Sequence, residues 1–411
     1  MSYSVAIVGA SGSAGSEIAR ILSGHPEFEV CTLTAASSAG TRFGDLNPHI
    51  PNLADKIIQP TMVDELLDHD VVFVALPHGQ SAEITAALTE GAGDAEQEVS
   101  NVQAKNLAQS GQTNAHESES TPLHPSAQTN ASARSKSPGS HSKKSPIVID
   151  AGADHRLTSA DAWAKYYGGE YPGAWDYAMP ELIHADEADA LISGPLEKVQ
   201  KQREALKASR TIAVPGCNVT AVTLAMMPAV AAGFVNAGHI SAVLSVGYSG
   251  AGRSLKPHLM ATSALSNMVP YSAAGKHRHI PEIIQNLQVT GAGDLALDFT
   301  PVLVPTSRGI LAVVNTMLEG VADEDVKAAY HAAYDAETFI DVTEGYPQTQ
   351  PILATGKAQV WAGVDQYTGA LTAIAAIDNL GKGTAAAAVQ AANLAVGIDE
   401  ATGIPTIGVA P

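Results

Sequence analysis

Cys217 lies where a predicted strand meets a predicted helix, a position that suits a nucleophile. Pro215 and Gly216 end a short apolar run, and an apolar helical pattern begins at Asn218. The partial positive charge of a helix N-terminus stabilises a thiolate and lowers the pKa of a cysteine from its usual value of about 8.5. We therefore predict a catalytic thiolate at Cys217, with an inert cysteine near a helix cap as the alternative.

Two histidines stand two residues apart in Lys276-His277-Arg278-His279, and imidazole suits proton transfer near neutral pH. In an extended segment both rings would face one side, while Lys276 and Arg278 would face the other. We interpret His277 as the acid/base and His279 as its support, although the spacing itself does not separate their roles. A solvated basic loop and a metal-binding pair are the alternatives. Because no third metal ligand is evident, we predict no metal site.

Glycines recur every third residue in a segment between the first predicted strand and the first predicted helix, Gly9-Ala10-Ser11-Gly12-Ser13-Ala14-Gly15. Backbone amides in such a turn can approach a pyrophosphate, and the helix N-terminus adds partial positive charge. The alternative is an ordinary tight turn. We predict dinucleotide binding through five residues of this segment, namely Gly9, Ser11, Gly12, Ser13 and Ala14.

The residues after the second predicted strand indicate which dinucleotide binds. An NAD site usually places an acidic residue there to accept a hydrogen bond from the ribose 2′-hydroxyl. This chain instead has Ser37 and Ser38, with Arg42 nearby, which suits a 2′-phosphate. We therefore predict NADP as the cofactor. Pro77 follows the third predicted strand at the same sheet edge and is predicted to contact the cofactor, whereas contact by His78 is left open.

Apolar residues alternate between helix and strand periods, which predicts an α/β protein. The first part has the alternation of a Rossmann-type, doubly wound parallel sheet, and the second part is predicted to be mixed α+β. Predicted strands are residues 4–8, 30–35, 71–75, 147–150, 212–214, 242–246, 300–304, 310–316, 359–364 and 371–377. Predicted helices are residues 14–22, 63–67, 82–88, 218–232, 323–334 and 384–397. We predict an NADP-binding domain at 1–216, a catalytic domain at 217–382 and a C-terminal helix at 383–411 that returns to the first domain.

The segment at residues 91–145 is predicted to be a disordered, low-complexity insertion. It contains no aromatic residue and only four large aliphatic ones, so it cannot bury enough apolar area to offset chain entropy. A tolerated loop insertion is favoured over a regulatory or partner-binding segment. We therefore expect the insertion to be dispensable for activity.

Composition and charge exclude several classes of protein. With 23 basic and 42 acidic residues, the net charge of −19 disfavours binding to nucleic acid or to anionic membranes. No apolar run is long enough for a membrane helix, and no signal peptide is recognised. Two cysteines give no disulfide framework and fit a reducing cytoplasm; Cys31, in the second predicted strand, is expected to be buried. Residues 205–281 contain six basic residues and no acidic one, which predicts a cationic active site.

Six segments occur in the order typical of one enzyme family. They are the glycine-rich segment and residues 71–79, 148–157, 215–217, 275–282 and 377–383. From end to end, apart from residues 91–145 and a polar connector at 195–209, the chain resembles the N-acetyl-gamma-glutamyl-phosphate reductases of the semialdehyde dehydrogenase superfamily. It departs from them at Asn218 and Val219, where the family often has Tyr-Pro, and at His155, where the family often has Phe.

The resemblance implies the NADPH-dependent reduction of an acyl phosphate to an aldehyde through a thioester on the cysteine, in arginine biosynthesis. It also implies a homodimer or homotetramer built through the second domain. The alternatives are reduction of an aminoadipyl or aspartyl phosphate, and a non-catalytic NADP-binding regulator. Ile310 stands where aspartate-semialdehyde dehydrogenases have their catalytic histidine, which argues against that identity. We predict substrate binding by Arg308, Arg253 and Lys276, and further cofactor contacts by Ser249, Gly250 and Asn379.

Overall fold

The structure is a computed structural model of the 411-residue chain and describes residues 2–90, 145–188, 199–235, 238–253 and 256–409. The predicted insertion at 91–145 lies, except for its last residue, outside the described residues. Among the residues that are described, no helix is long and apolar enough to span a membrane.

The first sheet has six parallel strands in the order β2-β1-β3-β4-β6-β5. Helices cover both of its faces: α1, α6 and α11 on one side, α3 and α4 on the other. This arrangement confirms the predicted doubly wound fold. The strands are β1 (Tyr3–Val8), β2 (Phe28–Thr34), β3 (Val71–Val74), β4 (Ile147–Asp150), β5 (Asp176–Tyr177) and β6 (Thr211–Ala213). The helices are α1 (Ser13–Leu22), α2 (Phe43–Leu46), α3 (Val63–Leu66), α4 (Ser81–Glu90), α5 (Ala160–Tyr166), α6 (Lys201–Ala208) and α11 (Ala386–Val396).

The second sheet has seven strands in the order β11-β12-β13-β10-β7-β9-β8 and is mixed, because β7 is parallel to β9 and antiparallel to β10. Helices α7, α9 and α10 pack on one face. The strands are β7 (Gly238–Gly247), β8 (Val269–Pro270), β9 (Leu295–Val304), β10 (Ile310–Met317), β11 (Ile340–Val342), β12 (Ala358–Val364) and β13 (Ala370–Ile377). The helices are α7 (Cys217–Ala231), α8 (Ala261–Ala264), α9 (His279–Val289) and α10 (Asp323–Tyr334).

Helix α7 is apolar on all sides, which fits a helix enclosed by other elements. Every residue from Asn218 to Ala231 is buried. A helix held this tightly provides a rigid base for the residue at its start, Cys217.

The C-terminal helix α11 packs on the core of the first sheet, together with α1. Its alanines allow close approach, and Gly397, with a φ of +83°, ends it in the left-handed conformation that favours glycine. Just before α11, residues 381–385 form a π-helical turn, so the regular helix starts two residues later than predicted. The predicted boundaries at 216 and 382 remain predictions.

Two sequence-based expectations fail at the level of elements. Cys31 is exposed, because β2 is the edge strand of the first sheet and Cys31 points outward between the buried Phe28 and Leu33. The polar segment at 195–209 contains helix α6 rather than only a connector. Its Arg203 is buried and forms ion pairs with Glu337 and Glu400.

Candidate active site and dinucleotide cradle

Cys217 is the first residue of α7, and it is held from two sides. Gly216 before it has an extended backbone and donates its N–H to Glu282 Oε1 at 3.0 Å. Gly383, in the π-helical turn, lies so close that a Cβ there would come within 2.8 Å of the Cys217 Cβ. The thiol therefore has a fixed position at the helix N-terminus.

Burial raises the pKa of the Cys217 thiol to about 11, even though Arg156 and the amides of the helix N-terminus favour the thiolate. The expected lowering of this pKa is therefore wrong, because removal from water outweighs the helix N-terminus here. The thiol is protonated at neutral pH. An attack by sulfur requires a nearby base.

His277 and His279 lie together, with ring centroids 4.6 Å apart. The segment that carries the two histidines is not extended as expected. Arg278, between them, has helical dihedral angles, and His279 is the first residue of helix α9. The turn nevertheless brings both rings inward, while Lys276 and Arg278 are exposed. Arg278 places its guanidinium carbon 5.6 Å from the centre of the Tyr167 ring.

The two imidazoles differ in their contacts. His277 Nδ1 accepts the backbone N–H of His279 at 3.1 Å, so the proton of a neutral His277 lies on Nε2. The His279 ring lies against Gly216, where an added Cβ would come within 2.6 Å of its Nε2. His279 is thus next to the residue that precedes Cys217.

Both imidazoles are neutral at physiological pH. Burial lowers the pKa of His277 to about 4, and the Arg278 charge acts in the same direction. Burial also holds the pKa of His279 well below its ordinary value, aided by His277 and by the charges of Arg156 and Arg278. Neutral rings can accept the thiol proton or donate their own.

A buried polar network holds the backbone beside Cys217. Glu282 is fully buried and accepts hydrogen bonds from the Gly216 N–H and from the Tyr177 hydroxyl, the latter at 2.7 Å. Arg156 lies 3.9 Å from Glu282 and donates to the Val214 carbonyl at 2.7 Å. Sequence reasoning did not single out Arg156 or Glu282, although both lie in the segments that carry the resemblance. Their charge, within segments that carry the resemblance, is the sequence signal that could have identified them.

The glycine-rich segment forms the tight turn that its spacing predicts. Gly9 has a φ of +79°, and a Cβ there would lie 2.3 Å from the Ala75 carbonyl oxygen. A Cβ at Gly15 would lie 2.3 Å from the Gly9 carbonyl oxygen. Gly12 precedes α1 without a side-chain cap, and the first helical turn has no acidic residue. The amides around Ser13 and Ala14 therefore fit a pyrophosphate.

The other predicted cofactor residues lie in two groups. Ser37 and Ser38 occupy the turn after β2, and Pro77 is exposed after β3, at the carboxyl edge of the parallel sheet. In the second domain, Asn379 Nδ2 donates to Ser249 Oγ at 2.9 Å. Gly250 is next to this pair, since a Cβ there would lie 3.8 Å from Asn379 Nδ2.

His78 is held by Asp154, whose Oδ1 lies 2.6 Å from His78 Nδ1. Asp154 also accepts the N–H groups of Gly79 and of Ala82 in the first turn of α4. Burial raises the pKa of Asp154, but the hydrogen bonds from Gly79, His78 and Ser81 together bring that pKa below its ordinary value. His78 thus belongs to the turn that follows β3.

Arg308 does not match its predicted role as a clamp for the substrate carboxylate. Its guanidinium donates to Glu17 on α1 at 2.7 and 3.1 Å, and to Asp378 after β13 at 3.0 and 3.1 Å. Because two protein carboxylates already occupy both of its edges, Arg308 connects the first helix to the second sheet.

Arg253 is also displaced from its predicted role beside the substrate. It extends from the loop after β7 to the glycine-rich turn, where it donates to the Ser11 carbonyl oxygen at 2.8 Å. Within the described part of the chain, no group of three or more His, Cys, Asp or Glu side chains is arranged to hold a metal ion.

Comparisons with known proteins agree with this architecture. Residues 4–94 match the family described as "Semialdehyde dehydrogenase, NAD binding domain", and residues 217–379 match "Semialdehyde dehydrogenase, dimerisation domain". Aspartate semialdehyde dehydrogenase II from Vibrio cholerae, complexed with ASA, has a TM-score of 0.58 at 14% identity, covering 96% of this chain and 98% of that one. The Candida albicans aspartate semialdehyde dehydrogenase with NADP has a TM-score of 0.52 at 16% identity, covering 96% and 98%.

The sequence relatives are closer. An N-acetyl-gamma-glutamyl-phosphate reductase from Bifidobacterium animalis subsp. lactis is 40% identical over 100% of this chain and 99% of the relative. Another, from Thermobifida fusca, is 40% identical over 100% of both chains. Full-length similarity at this level, on a semialdehyde dehydrogenase fold, shows that the chain belongs to the N-acetyl-gamma-glutamyl-phosphate reductase family.

Proposed function

We propose that this protein reduces N-acetyl-gamma-glutamyl phosphate with NADPH to N-acetylglutamate 5-semialdehyde and phosphate, as a step of arginine biosynthesis. The observation that carries the proposal is the fixed thiol of Cys217 at a helix N-terminus next to His277 and His279. A dinucleotide turn in the same chain and the family membership support it.

The Cys217 sulfur attacks the acyl carbon of the substrate. A carbon–sulfur bond forms, the carbon–oxygen bond to phosphate breaks, and the electron pair leaves with phosphate, which leaves a thioester on the enzyme. When bound, NADPH supplies the hydride that reduces the thioester carbon. The resulting hemithioacetal collapses by releasing the Cys217 sulfur and the aldehyde.

The two histidines divide the proton transfers. His279, whose ring lies against Gly216, accepts the thiol proton when sulfur attacks. His277, whose neutral ring carries its proton on Nε2, donates to the substrate oxygen on which charge develops. Arg156, the largest favourable charge on the Cys217 thiolate, limits the cost of that charge in a buried site.

The site residues that remain are proposed as binding groups. The exposed Lys276 is available to an anionic substrate. The cofactor contacts are those of the glycine-rich turn, of Ser37, Ser38 and Pro77, and of Ser249, Gly250 and Asn379. Both cysteines are free, which fits action in a reducing cytoplasm.

A second copy of the chain is proposed to cover the open face of the seven-stranded sheet. On this face, opposite α7, α9 and α10, Val243 and Met317 are 49% and 65% exposed. Leu311 and Val313 on β10 are only partly covered. A homodimer through this face would bury these side chains, and a homotetramer would pair two such dimers.

The test is phosphate-dependent reduction of NADP⁺ by N-acetylglutamate 5-semialdehyde, the reverse reaction. We expect turnover with this aldehyde and no turnover when phosphate is omitted. His277→Asn and His279→Asn should each lower kcat by about 100- to 10,000-fold. Faster turnover with aspartate or aminoadipate semialdehyde would contradict the assigned substrate, and full activity of either histidine variant would contradict the division of roles.

A further inference from the structure

Arg253 carries its positive charge onto the glycine-rich turn from the other domain. Nη1 donates to the Ser11 carbonyl oxygen at 2.8 Å, and Nη2 donates to Asn47 Oδ1 at 3.2 Å. Ser16 Oγ, in the first part of α1, lies 3.5 Å from Nη2. Among the described side chains, no carboxylate pairs with this guanidinium, so its charge is uncompensated.

Asn47, at the end of α2, is fully buried and gives its oxygen to Arg253. Its Nδ2 group has no hydrogen-bond partner within the described part of the chain. A buried amide donor without an acceptor is costly, so Asn47 is held at this position for its oxygen, which orients the guanidinium.

Helix α1 contributes a third source of positive potential at the same place. It has ten residues, Gly12 before it provides no side-chain cap, and no acidic residue lies in its first turn. The guanidinium contacts Ser11 and Ser16, one on each side of the start of α1, so its charge adds to that of the helix N-terminus, where an anion is favoured.

We propose that Arg253, held in place by Asn47, binds the diphosphate of the dinucleotide across the boundary between the two sheets. This inference rests on the proposed use of NADP. The same loop after β7 carries Ser249 and Gly250, so a single loop of the second domain would contact the cofactor at two positions. Cofactor binding would then fix the loop beside the reacting carbon.

Arg42 is the matched comparison, because it is predicted to bind the 2′-phosphate that distinguishes NADPH from NADH. It lies before α2, is half exposed, and pairs at 2.5 Å with the exposed Asp55. An arginine that binds the diphosphate affects both dinucleotides, whereas one that binds the 2′-phosphate affects NADPH alone.

The experiment measures dissociation constants of NADPH and NADH by fluorescence titration of the full-length protein without substrate. Arg253→Met removes the charge and keeps most of the side-chain length. We expect it to weaken both dinucleotides by the same factor, about tenfold, and Arg42→Met to weaken NADPH alone. Arg253→Lys, which keeps a charge but not the two-pronged geometry, should have intermediate affinity.

Three results would overturn the proposal. Unchanged affinities for both dinucleotides in Arg253→Met, with a raised KM for the aldehyde, would show that Arg253 binds the substrate instead. A loss of affinity for NADPH alone would show that Arg253 binds the 2′-phosphate. A loss in Arg253→Met that Arg253→Lys shares in full, with a lowered Tm in both ligand-free proteins, would indicate only a structural role. Because the titrations use no acyl phosphate, they remain informative if the assigned substrate is wrong.

Discussion

Burial determines the protonation state of the Cys217 thiol in the absence of substrate. Its pKa of about 11 keeps it protonated, and the lowered pKa values of His277 and His279 keep both rings neutral. A thiolate–imidazolium pair would have to form in a site largely removed from water. The thiolate is therefore expected to form only as sulfur attacks, which limits side reactions of the resting enzyme.

Alkylation of Cys217 tests this resting state. In a Cys31→Ser background, the iodoacetamide reaction rate of Cys217 should stay low at pH 7 and still be rising at pH 9, because the pKa is raised to about 11. The control is Cys217→Ser, in which only the exposed Cys31 reacts. A rate that levels off below pH 8 would show a thiolate stabilised in the resting enzyme.

Residue type and spacing were enough to predict that Cys217 stands at the start of a helix and that His277 and His279 lie together, because these placements are local to two short segments. The partners of Arg308 and Arg253 could not be predicted in this way. Glu17 is 291 positions from Arg308 in the chain, and Ser11 is 242 positions from Arg253. The role of a long cationic side chain depends on which distant groups the fold brings to it.

At the scale of elements, apolar periodicity predicts most strands and long helices, because each has one or two buried faces. It fails where burial depends on the position of a strand within the sheet. Cys31 is exposed because β2 is an edge strand. Apolar periodicity also misses α9, which is not among the predicted helices and has Pro281 in its first turn, where proline is tolerated. That helix brings His279 and Glu282 to Gly216, the residue before Cys217.

The π-helical turn at 381–385 is expected to set the position of Cys217 through Gly383. Gly383→Ala would place a methyl group 2.8 Å from the Cys217 Cβ and displace the thiol. We expect kcat to fall by about 100-fold while the NADPH dissociation constant stays the same. The control is Gly24→Ala, because a Cβ at Gly24 has no neighbour within 4 Å. Unchanged kcat in Gly383→Ala would show that this contact is not needed.

In the molecule as a whole, charged side chains connect the two sheets. Arg308 links Glu17 to Asp378, and Arg253 extends to the glycine-rich turn. The basic residues of 205–281 are consequently not gathered at Cys217 alone, and exposed Lys207 pairs with Glu204. The net negative charge of the chain still disfavours binding to nucleic acid, whereas Arg253 places a positive charge at the glycine-rich turn, where the dinucleotide is proposed to bind.

The open sheet face predicts the effect of a charge on assembly. Val243→Asp should convert the dimer to a monomer in sedimentation experiments, because a carboxylate would be buried without a partner. Ile407→Asp, at a residue that is 86% exposed near the C-terminus, is the control and should leave the assembly unchanged. A dimer that persists in Val243→Asp would place the interface elsewhere.

If Cys217 carries the acyl group as a thioester, that species can be trapped by withholding phosphate. With N-acetylglutamate 5-semialdehyde and NADP⁺ but no phosphate, the thioester should form and persist. We predict a burst of one NADPH per active site and an acyl adduct on Cys217 in the intact mass spectrum, both lost in Cys217→Ser. Phosphate-dependent turnover by Cys217→Ser, or a burst with no adduct on Cys217, would show that Cys217 does not carry the acyl group.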